Sequence, residues 1–314
     1  MNTRIQHSLP LIDKDVELEV LSCLYETGWL TTGPKVRELE DEISKLSQTS
    51  STICVNSWTS GMLLLIKWLG LEEDDEIIVP VYTYAASAFS VINSNVKCVF
   101  VDVNSDFTIN IDEVEKAITK NTKAIMPVDL GGFPADYIAL NSLLCKESVL
   151  AKFNPKTDFQ RKIGRPIVIS DAAHSIGSLI DGVPTPLFSD FSVFSFHSVK
   201  NITTGEGGAV ASQNSQLLEK VRRFSRQGLI RDPALFQISG QGAWHQEVHD
   251  FGLNYRLPDI LCALGLSQLT KAELLKKKRR VIFETYRSLL QSCDAIRLPI
   301  QQEHVDVNWH LYPI

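Results

Sequence analysis

Short apolar segments alternate with helical segments along much of the chain, and this alternation limits the possible folds more than any other feature. The apolar runs predicted as strands are residues 52–55, 76–80, 96–101, 124–128 and 166–170. Helical spacing of apolar residues is found between them, at 62–69, 85–92 and 111–118. Strands that alternate with helices at short intervals are typical of βαβ units on a buried, largely parallel sheet. The sequence therefore predicts the α/β class.

Composition and charge exclude several kinds of protein. The 314 residues, 44% apolar and 22% charged, suffice for one large domain, or for one large and one small domain. The net charge of −6 gives no long-range attraction to nucleic acid or to an anionic membrane, so neither is an expected partner. No signal core or membrane-spanning segment is found. Six scattered cysteines without a C-x-x-C pair predict a reducing cytoplasm and no metal site.

The domain boundary is expected near residue 245. Residues 1–245 would form the large domain with an N-terminal helical segment, and 246–314 a small C-terminal domain. Residues 135–165 are interpreted as an elaborated surface insertion, because they are long for a crossover. One long helix is predicted from Asp259 to about residue 291. The last stretch, from Trp309, begins like a strand and stops, so the small domain is expected to be incomplete in this chain.

The stretch 193–210 contains the first candidate for chemistry. Val193, Phe194 and Phe196 indicate a short strand, which leads to Lys200 and then to the glycine-rich turn 203–208. A returning strand is predicted after this turn. Glycines allow another body to approach the main chain closely. A lysine in such a turn is usually only a solvated surface charge. Lys200 becomes a candidate catalytic residue only when the neighbouring segments are considered with it.

Two further segments supply polar groups near predicted strand ends. Asp171 follows the apolar strand 166–170, and ligands of open α/β sheets bind outside the carboxyl ends of strands. The alternative is that Asp171 merely caps the next turn. Residues 56–60, Asn-Ser-Trp-Thr-Ser, precede an apolar helix. Free N–H groups at a helix start can bind an anion, although plain capping is the default use of Ser and Asn.

Together these groups match the needs of pyridoxal phosphate (PLP). Its aldehyde condenses with a lysine amine, and a carboxylate keeps its pyridine nitrogen protonated so that the ring accepts electrons. Its phosphate needs donors such as those at a helix N-terminus. An aromatic residue such as Tyr84 could cover the face of the ring.

The chain resembles the DegT/StrS family of sugar-nucleotide aminotransferases, which are fold-type-I, aspartate-aminotransferase-like PLP enzymes. The segments that carry the resemblance are 56–62, 80–84, 171–174, 195–208 and 252–257. The resemblance implies a mostly parallel central sheet in a large domain and a smaller α+β C-terminal domain. The segment 195–208 together with Asp-Ala-Ala-His at 171–174 is the most specific part.

The resemblance implies roles for three residues at the reacting end of the cofactor. Lys200 would form the imine with the cofactor and later move protons between the substrate carbon and the cofactor. Asp171 would pair with the pyridinium nitrogen. His174 would hydrogen-bond the phenolic oxygen, where the family often has Gln. Taken alone, a histidine is more often a satisfied structural residue.

Further roles are implied for the phosphate and the ring. Thr59, Ser60 and Ser195 would hold the phosphate, and Tyr84 would stack on the ring. Asn254 would reach the phosphate of a neighbouring subunit, so the active unit would be a homodimer with shared active sites.

Substrate contacts are the least specific expectation. The candidates are Trp29, Thr31, His197 and Arg256, and His197 could equally be a packed residue. Trp58 departs from the family, which usually has a small residue there, and it is expected to reshape the phosphate end of the pocket.

The expected reaction is transfer of an amino group, from glutamate, to a keto carbon of a nucleotide-linked sugar. Pyridoxamine phosphate (PMP) would be the intermediate form of the cofactor. A PMP-dependent nucleotide-sugar dehydratase of the same family is an alternative, although such members carry His at the position of Lys200. A noncatalytic regulatory or binding protein that kept the fold is a third interpretation.

Overall fold

A seven-stranded sheet forms the centre of the molecule. The computed structural model describes residues 9–238, 240 and 242–314. The strands are β1 (Ser51–Val55), β2 (Glu76–Pro80), β3 (Lys97–Val101), β4 (Thr122–Ile125), β5 (Ile167–Asp171), β6 (Phe191–Ser195) and β7 (Gly208–Ser212). Their order is β1-β7-β6-β5-β4-β2-β3. The neighbours from β3 to β6 are parallel, whereas β7 is antiparallel to both β6 and β1.

Helices cover both faces of this sheet. They are α1 (Lys14–Ser22), α2 (Pro34–Ser47), α3 (Trp58–Trp68), α4 (Ala85–Ile92), α5 (Ile111–Ala117), α6 (Tyr137–Leu144), α7 (Glu147–Leu150), α8 (Asp158–Ile163), α9 (Ser215–Phe224), α10 (Asp259–Leu269) and α11 (Ala272–Leu290). A π-helical turn, Cys23–Thr27, continues α1. Short strands pair Leu229–Ile230 with Glu247–Val248, and Leu179–Ile180 with Val183–Pro184 and Val305–Asp306.

The alternation of side chains along the strands explains why both faces are covered. In β2, Ile77 and Val79 belong to the apolar cluster that includes α3 and α9, whereas Ile78 lies in the cluster of α5 and α6. All three side chains are fully buried. Successive residues of a strand point to opposite faces, so an uninterrupted apolar strand needs a layer of helices on each side. The predicted α/β class and largely parallel sheet are confirmed.

The topology brings the candidate site residues to one edge of the sheet. Strands β5 and β6 are parallel neighbours, and Asp171 is paired with Val193 at their carboxyl ends. The chain then leaves β6 at Ser195, passes through Lys200 and returns as β7, with Gly208 opposite Ser195. The predicted strand, turn and returning strand are therefore present. They place Lys200 just beyond the strand end that carries Asp171.

Three local predictions were wrong. Residues 135–165 are not a surface insertion, because α6 and α7 bury Leu140, Leu144 and Val149 against the sheet as part of the β4–β5 crossover. The long C-terminal helix is interrupted between α10 and α11. No strand begins at Trp309, whose ring instead stacks on Phe283 at 3.8 Å between centroids.

The C-terminal region packs closely on the rest of the chain. Helix α10 contacts α1 and α2, and Val305–Asp306 pairs with Leu179–Ile180. The boundary at residue 245 stays a prediction. Among the residues that the structure describes, no helix has the length and apolar character needed to cross a bilayer.

Candidate active site

A cavity of about 590 Å³ opens at the carboxyl edge of the sheet. This volume lies within the usual range for small-molecule sites, roughly 300–1,000 Å³. Most of the residues predicted for the cofactor line it, and these are Thr59, Tyr84, Asp171, His174, Ser195 and Lys200. His197, predicted as a substrate contact, lines it as well. The structure thus brings together groups that lie more than a hundred residues apart in the chain.

Asp171 is a buried carboxylate at the wall of the cavity. Only 5% of the residue is exposed. Its Oδ2 accepts a hydrogen bond from Ser87 Oγ at 2.8 Å, and its Oδ1 accepts one from the Ala173 N–H at 3.2 Å. Burial raises the pKa of Asp171 to about 6, although these hydrogen bonds and the charge of Lys200 act in the opposite direction. A cation in the cavity would therefore find a carboxylate with little water around it.

Lys200 lines the same cavity. Its backbone N–H donates to the His197 carbonyl at 2.9 Å, which closes the turn after β6. Burial lowers the pKa of Lys200, while the Asp171 carboxylate raises it. Because burial is the stronger influence, more of the amine is neutral near pH 7 than in an exposed lysine. A neutral amine is the form that attacks a carbonyl.

The hydrogen bonds of His174 fix its tautomer. The backbone N–H of Gly131 donates to His174 Nδ1 at 3.1 Å. Burial is the main reason that its pKa falls to about 2, and the neighbouring His310 and Lys200 lower it further. The ring is therefore neutral, and because Nδ1 is an acceptor its single proton is on Nε2. His174 offers one N–H donor from a ring that lines the cavity.

The N-terminus of α3 forms another part of the wall. Ser57 is the N-cap, and its Oγ accepts from the Ser60 N–H at 3.0 Å. Ser57, Trp58 and Thr59 line the cavity. Gly208 lets β7 approach this helix end, since a Cβ there would lie 2.7 Å from Ser57 C and Trp58 N. Free N–H groups and hydroxyls at a helix start suit a phosphate.

The aromatic side of the cavity is open to solvent. Tyr84 lines it while 79% of the residue is exposed. The neighbouring Tyr82 also lines the cavity and stacks on Phe107, with 4.9 Å between ring centroids. A ring bound in the cavity would have an aromatic neighbour on this side.

Five of the predicted site residues lie outside the cavity wall. The Ser60 hydroxyl is paired with Ser57 Oγ at 2.8 Å, and Ser57 lines the cavity whereas Ser60 does not. Asn254 Oδ1 accepts from Arg256 Nε at 2.9 Å, and neither residue lines the cavity. Trp29 and Thr31 are exposed in the turn before α2. Their roles stay predictions, and that of Asn254 concerns a second subunit.

Sequence reasoning missed several groups at the cavity. Ser87, which binds Asp171, is a buried serine of α4 that no motif singles out. Ser57 was recognisable as a cap. The indole N–H of Trp58 faces Asp171 and lowers its pKa, yet within the described residues it lies outside hydrogen-bonding geometry with any acceptor. It is thus a buried donor without a partner.

These features fit pyridoxal phosphate. The buried carboxylate suits a protonated pyridine nitrogen, and the α3 N-terminus with its hydroxyls suits a phosphate. The unpaired indole N–H of Trp58 is a donor left for a bound group. Among the described residues, no cluster of three or more His, Cys, Asp or Glu could hold a metal ion.

Comparison with known proteins agrees with this arrangement. A family model described as the DegT/DnrJ/EryC1/StrS aminotransferase family matches residues 11–153 and 158–314. Spore coat polysaccharide biosynthesis protein SpsC of Bacillus subtilis is 31% identical over 313 residues, which cover 99% of this chain and 75% of SpsC.

Solved structures resemble the chain over nearly its whole length. The apo form of Spr1654 from Streptococcus pneumoniae, a candidate sugar aminotransferase, is 34% identical with a TM-score of 0.90, covering 98% of this chain and 76% of that one. Spr1654 is also solved in PMP and PLP forms. Helicobacter pylori PseC, an aminotransferase of pseudoaminic acid biosynthesis, is 29% identical with a TM-score of 0.83, covering 98% of this chain and 76% of PseC.

Proposed function

This chain belongs to the DegT/DnrJ/EryC1/StrS aminotransferase family, and on that premise we propose that it aminates a keto carbon of a nucleotide-linked sugar. The amino donor in this proposal is glutamate, and the cofactor alternates between PLP and PMP. The single observation that carries the proposal is the cavity that holds both Lys200 and the buried carboxylate of Asp171.

When bound, the cofactor supplies an electron-accepting ring for transferring the amino group. Asp171 keeps the pyridine nitrogen protonated, because a buried carboxylate strongly favours a neighbouring cation. The same ion pair would lower the pKa of Asp171 from the value of about 6 that burial produces. Ser87 and the Ala173 N–H hold the carboxylate in place.

Lys200 binds the cofactor and later moves a proton. Burial lowers the pKa of Lys200, so a larger share of its amine is neutral than in an exposed lysine. As a neutral amine beside the bound cofactor, Lys200 would carry a proton to or from the reacting carbon. The turn after β6 keeps the lysine within the cavity throughout.

The remaining wall residues orient the cofactor. His174 would donate its Nε2–H to the phenolic oxygen of the cofactor, and Tyr84 would cover one face of the ring. Ser57, Thr59, Ser195 and the N-terminus of α3 hold the phosphate. Ser60 supports this set indirectly through its hydrogen bond to Ser57. Together these contacts would hold the cofactor ring in one orientation, with the reacting carbon facing Lys200.

The sugar substrate is supported by the relatives. SpsC takes part in polysaccharide biosynthesis and PseC in that of pseudoaminic acid, as their names state. His197 lines the open side of the cavity, with Nε2 3.6 Å from Glu206 Oε1. These two polar side chains are available for sugar hydroxyls. Trp29, Thr31 and Arg256 stay weaker candidates for substrate contacts.

We further propose that the active unit is a homodimer in the cytoplasm. Large apolar side chains remain exposed, among them Phe251 with 93% exposure and Phe89 with 56%. Burying them against a second copy would remove them from water. Asn254 lies close to Phe251 in sequence and would then reach the partner's phosphate site. A reducing compartment suits the six free cysteines.

The test compares three purified proteins loaded with PLP. We expect the wild type and Lys220→Ala, a variant of an exposed lysine on α9, to show a visible cofactor band that borohydride bleaches. Lys200→Ala should lack this band. With glutamate and a panel of nucleotide-linked keto sugars, the first two proteins should form an aminated sugar that mass spectrometry detects.

Three results would count against the proposal. A bleachable band that persists in Lys200→Ala would refute the assignment of the lysine. A deoxygenated sugar instead of an aminated one would favour the dehydratase, which the presence of Lys200 argues against. Absence of any product across the panel, with an intact cofactor band, would refute the substrate class.

A further inference from the structure

We infer that His310 is a positioning residue that holds His174 in one orientation and one tautomer toward the cofactor. The inference rests on the proposed role of His174 as a donor to the phenolic oxygen. His310 lies far from the cavity motifs in sequence, and no sequence pattern singled it out. Its position follows from contacts of the C-terminal segment 307–311.

The two imidazole rings pack directly on each other. Their centroids are 4.3 Å apart and their planes are tilted by 37°. His174 lines the cavity, whereas His310 is not among the lining residues. A ring packed at this distance restricts the rotation of its neighbour, because protein interiors leave little free volume around side chains. His310 therefore limits His174 to the rotamer seen here.

One residue, Gly131, connects both histidines through its backbone. Its N–H donates to His174 Nδ1 at 3.1 Å, and its carbonyl accepts from the His310 N–H at 2.8 Å. Gly131 has a φ of +66°, a left-handed conformation that favours glycine. The position of His310 is thus coupled to the N–H group that sets the tautomer of His174.

The His310 side chain is anchored on the residue that follows Lys200. Its Nδ1 lies 3.1 Å from Asn201 Oδ1. Asn201 Nδ2 donates to the Asn308 carbonyl at 2.9 Å, which identifies Oδ1 as the acceptor. His310 Nδ1 therefore carries the proton. The anchor joins the C-terminal segment to the turn of Lys200 and to the ring of His174.

The electrostatic surroundings keep both rings neutral. Three charged or titratable groups face His310, namely His174, Lys200 and Arg279. Burial is the main reason that the pKa of His310 falls to about 3, and the two cations lower it further. A protonated His310 would repel Lys200 and disturb His174. In the neutral state it acts only by packing and by its bond to Asn201.

The experiment measures the pH midpoint of the visible band in the PLP-loaded protein. This midpoint is the pKa of the proton shared between the nitrogen that joins lysine to cofactor and the phenolic oxygen of the cofactor. Without the His174 donor, the negative charge on that oxygen is less stabilised, so the proton is held more tightly and the pKa rises. A lost hydrogen bond to a charged group should raise the midpoint by about one pH unit.

Four single substitutions and one double variant separate the possibilities. His174→Phe removes the donor and should raise the midpoint by about one unit. His310→Ala should raise it in the same direction, but should add nothing in a His174→Phe background, because coupled residues are not additive. His310→Asn, which keeps a donor for Asn201 without the ring, replaces the alanine variant if that one unfolds. His304→Ala, a change of an exposed histidine that precedes the segment 307–311, should match the wild type.

The outcomes distinguish this inference from the function on which it rests. An unchanged midpoint in folded His310→Ala and His310→Asn would overturn it. An equal shift in the wild-type and His174→Phe backgrounds would also overturn it, since His310 would then act independently. An unchanged midpoint in His174→Phe would refute the role of His174 itself.

Discussion

Replacing Asp171 by asparagine should stabilise the cofactor-free protein while abolishing tight PLP binding. The pKa of Asp171 is raised to about 6 from an ordinary 3.8, mainly by burial. The folded state therefore binds this proton more tightly than the unfolded chain does. The carboxyl contributes stability that is fully present below pH 3.8 and is lost as the pH rises through 6.

The size of the effect follows from the shift. A change of about two pKa units in Asp171 corresponds to a loss of roughly 3 kcal/mol in the free energy of unfolding as the pH rises from below 3.8 to above 6. Asparagine carries no charge at any pH, and its carbonyl and amide can still pair with Ser87 and the Ala173 N–H. At pH 7.5 we expect apo Asp171→Asn to exceed the wild type by about 2–3 kcal/mol in free energy of unfolding. At pH 4 the two should nearly coincide.

Urea denaturation of the apo proteins from pH 4 to 7.5 measures this difference. Asp74→Asn, at an exposed position, is the matched control and should follow the wild type. Part of the pH dependence should persist in Asp171→Asn, because burial also raises the pKa of Asp129 to about 6. The reasoning is refuted if apo Asp171→Asn is no more stable than the wild type at pH 7.5.

Three other substitutions test the construction of the site. Gly208→Ala should lower the unfolding free energy by about 2 kcal/mol and weaken PLP binding in a fluorescence titration, because the new Cβ would lie 2.7 Å from three backbone atoms. Ser57→Ala should cost about 1 kcal/mol through loss of the α3 cap, with weaker PLP binding. Asp259→Ala should cost about 3 kcal/mol in urea denaturation, because its buried carboxylate accepts from Gly33, Lys35 and Val36 at the start of α2. The folded fraction of Asp259→Ala should bind PLP as tightly as the wild type. Weaker PLP binding by this folded fraction would contradict the assignment of a purely structural role to Asp259.

Much of the fold was predictable because the strong patterns are local. Continuous apolar strands such as β2 bury both faces, and this needs no knowledge of distant residues. Asp171 and Lys200 follow strands β5 and β6, and parallel neighbours bring their carboxyl ends together. Once these two strands are neighbours in the sheet, their ends place Asp171 and Lys200 at one cavity.

Other features depend on tertiary contacts and backbone conformation, which the sequence of a single segment does not determine. Residues 135–165 resembled an insertion, yet Leu140 and Leu144 are core residues whose burial depends on the neighbouring helices and strands. Ser57 and Ser60 both suit a helix start, and only the backbone conformation of Ser57 decides which one caps α3. His310 meets His174 through tertiary packing across more than a hundred residues, which no local pattern encodes.

The most direct measurement is peptide mapping of the borohydride-reduced holoprotein by mass spectrometry. Reduction makes the bond between lysine and cofactor permanent, so the modified residue can be identified after proteolysis. The site described here predicts a single pyridoxyl modification on Lys200, absent when Lys200→Ala is treated in the same way. Modification of a different lysine, or none in a protein with a bleachable band, would contradict the central claim.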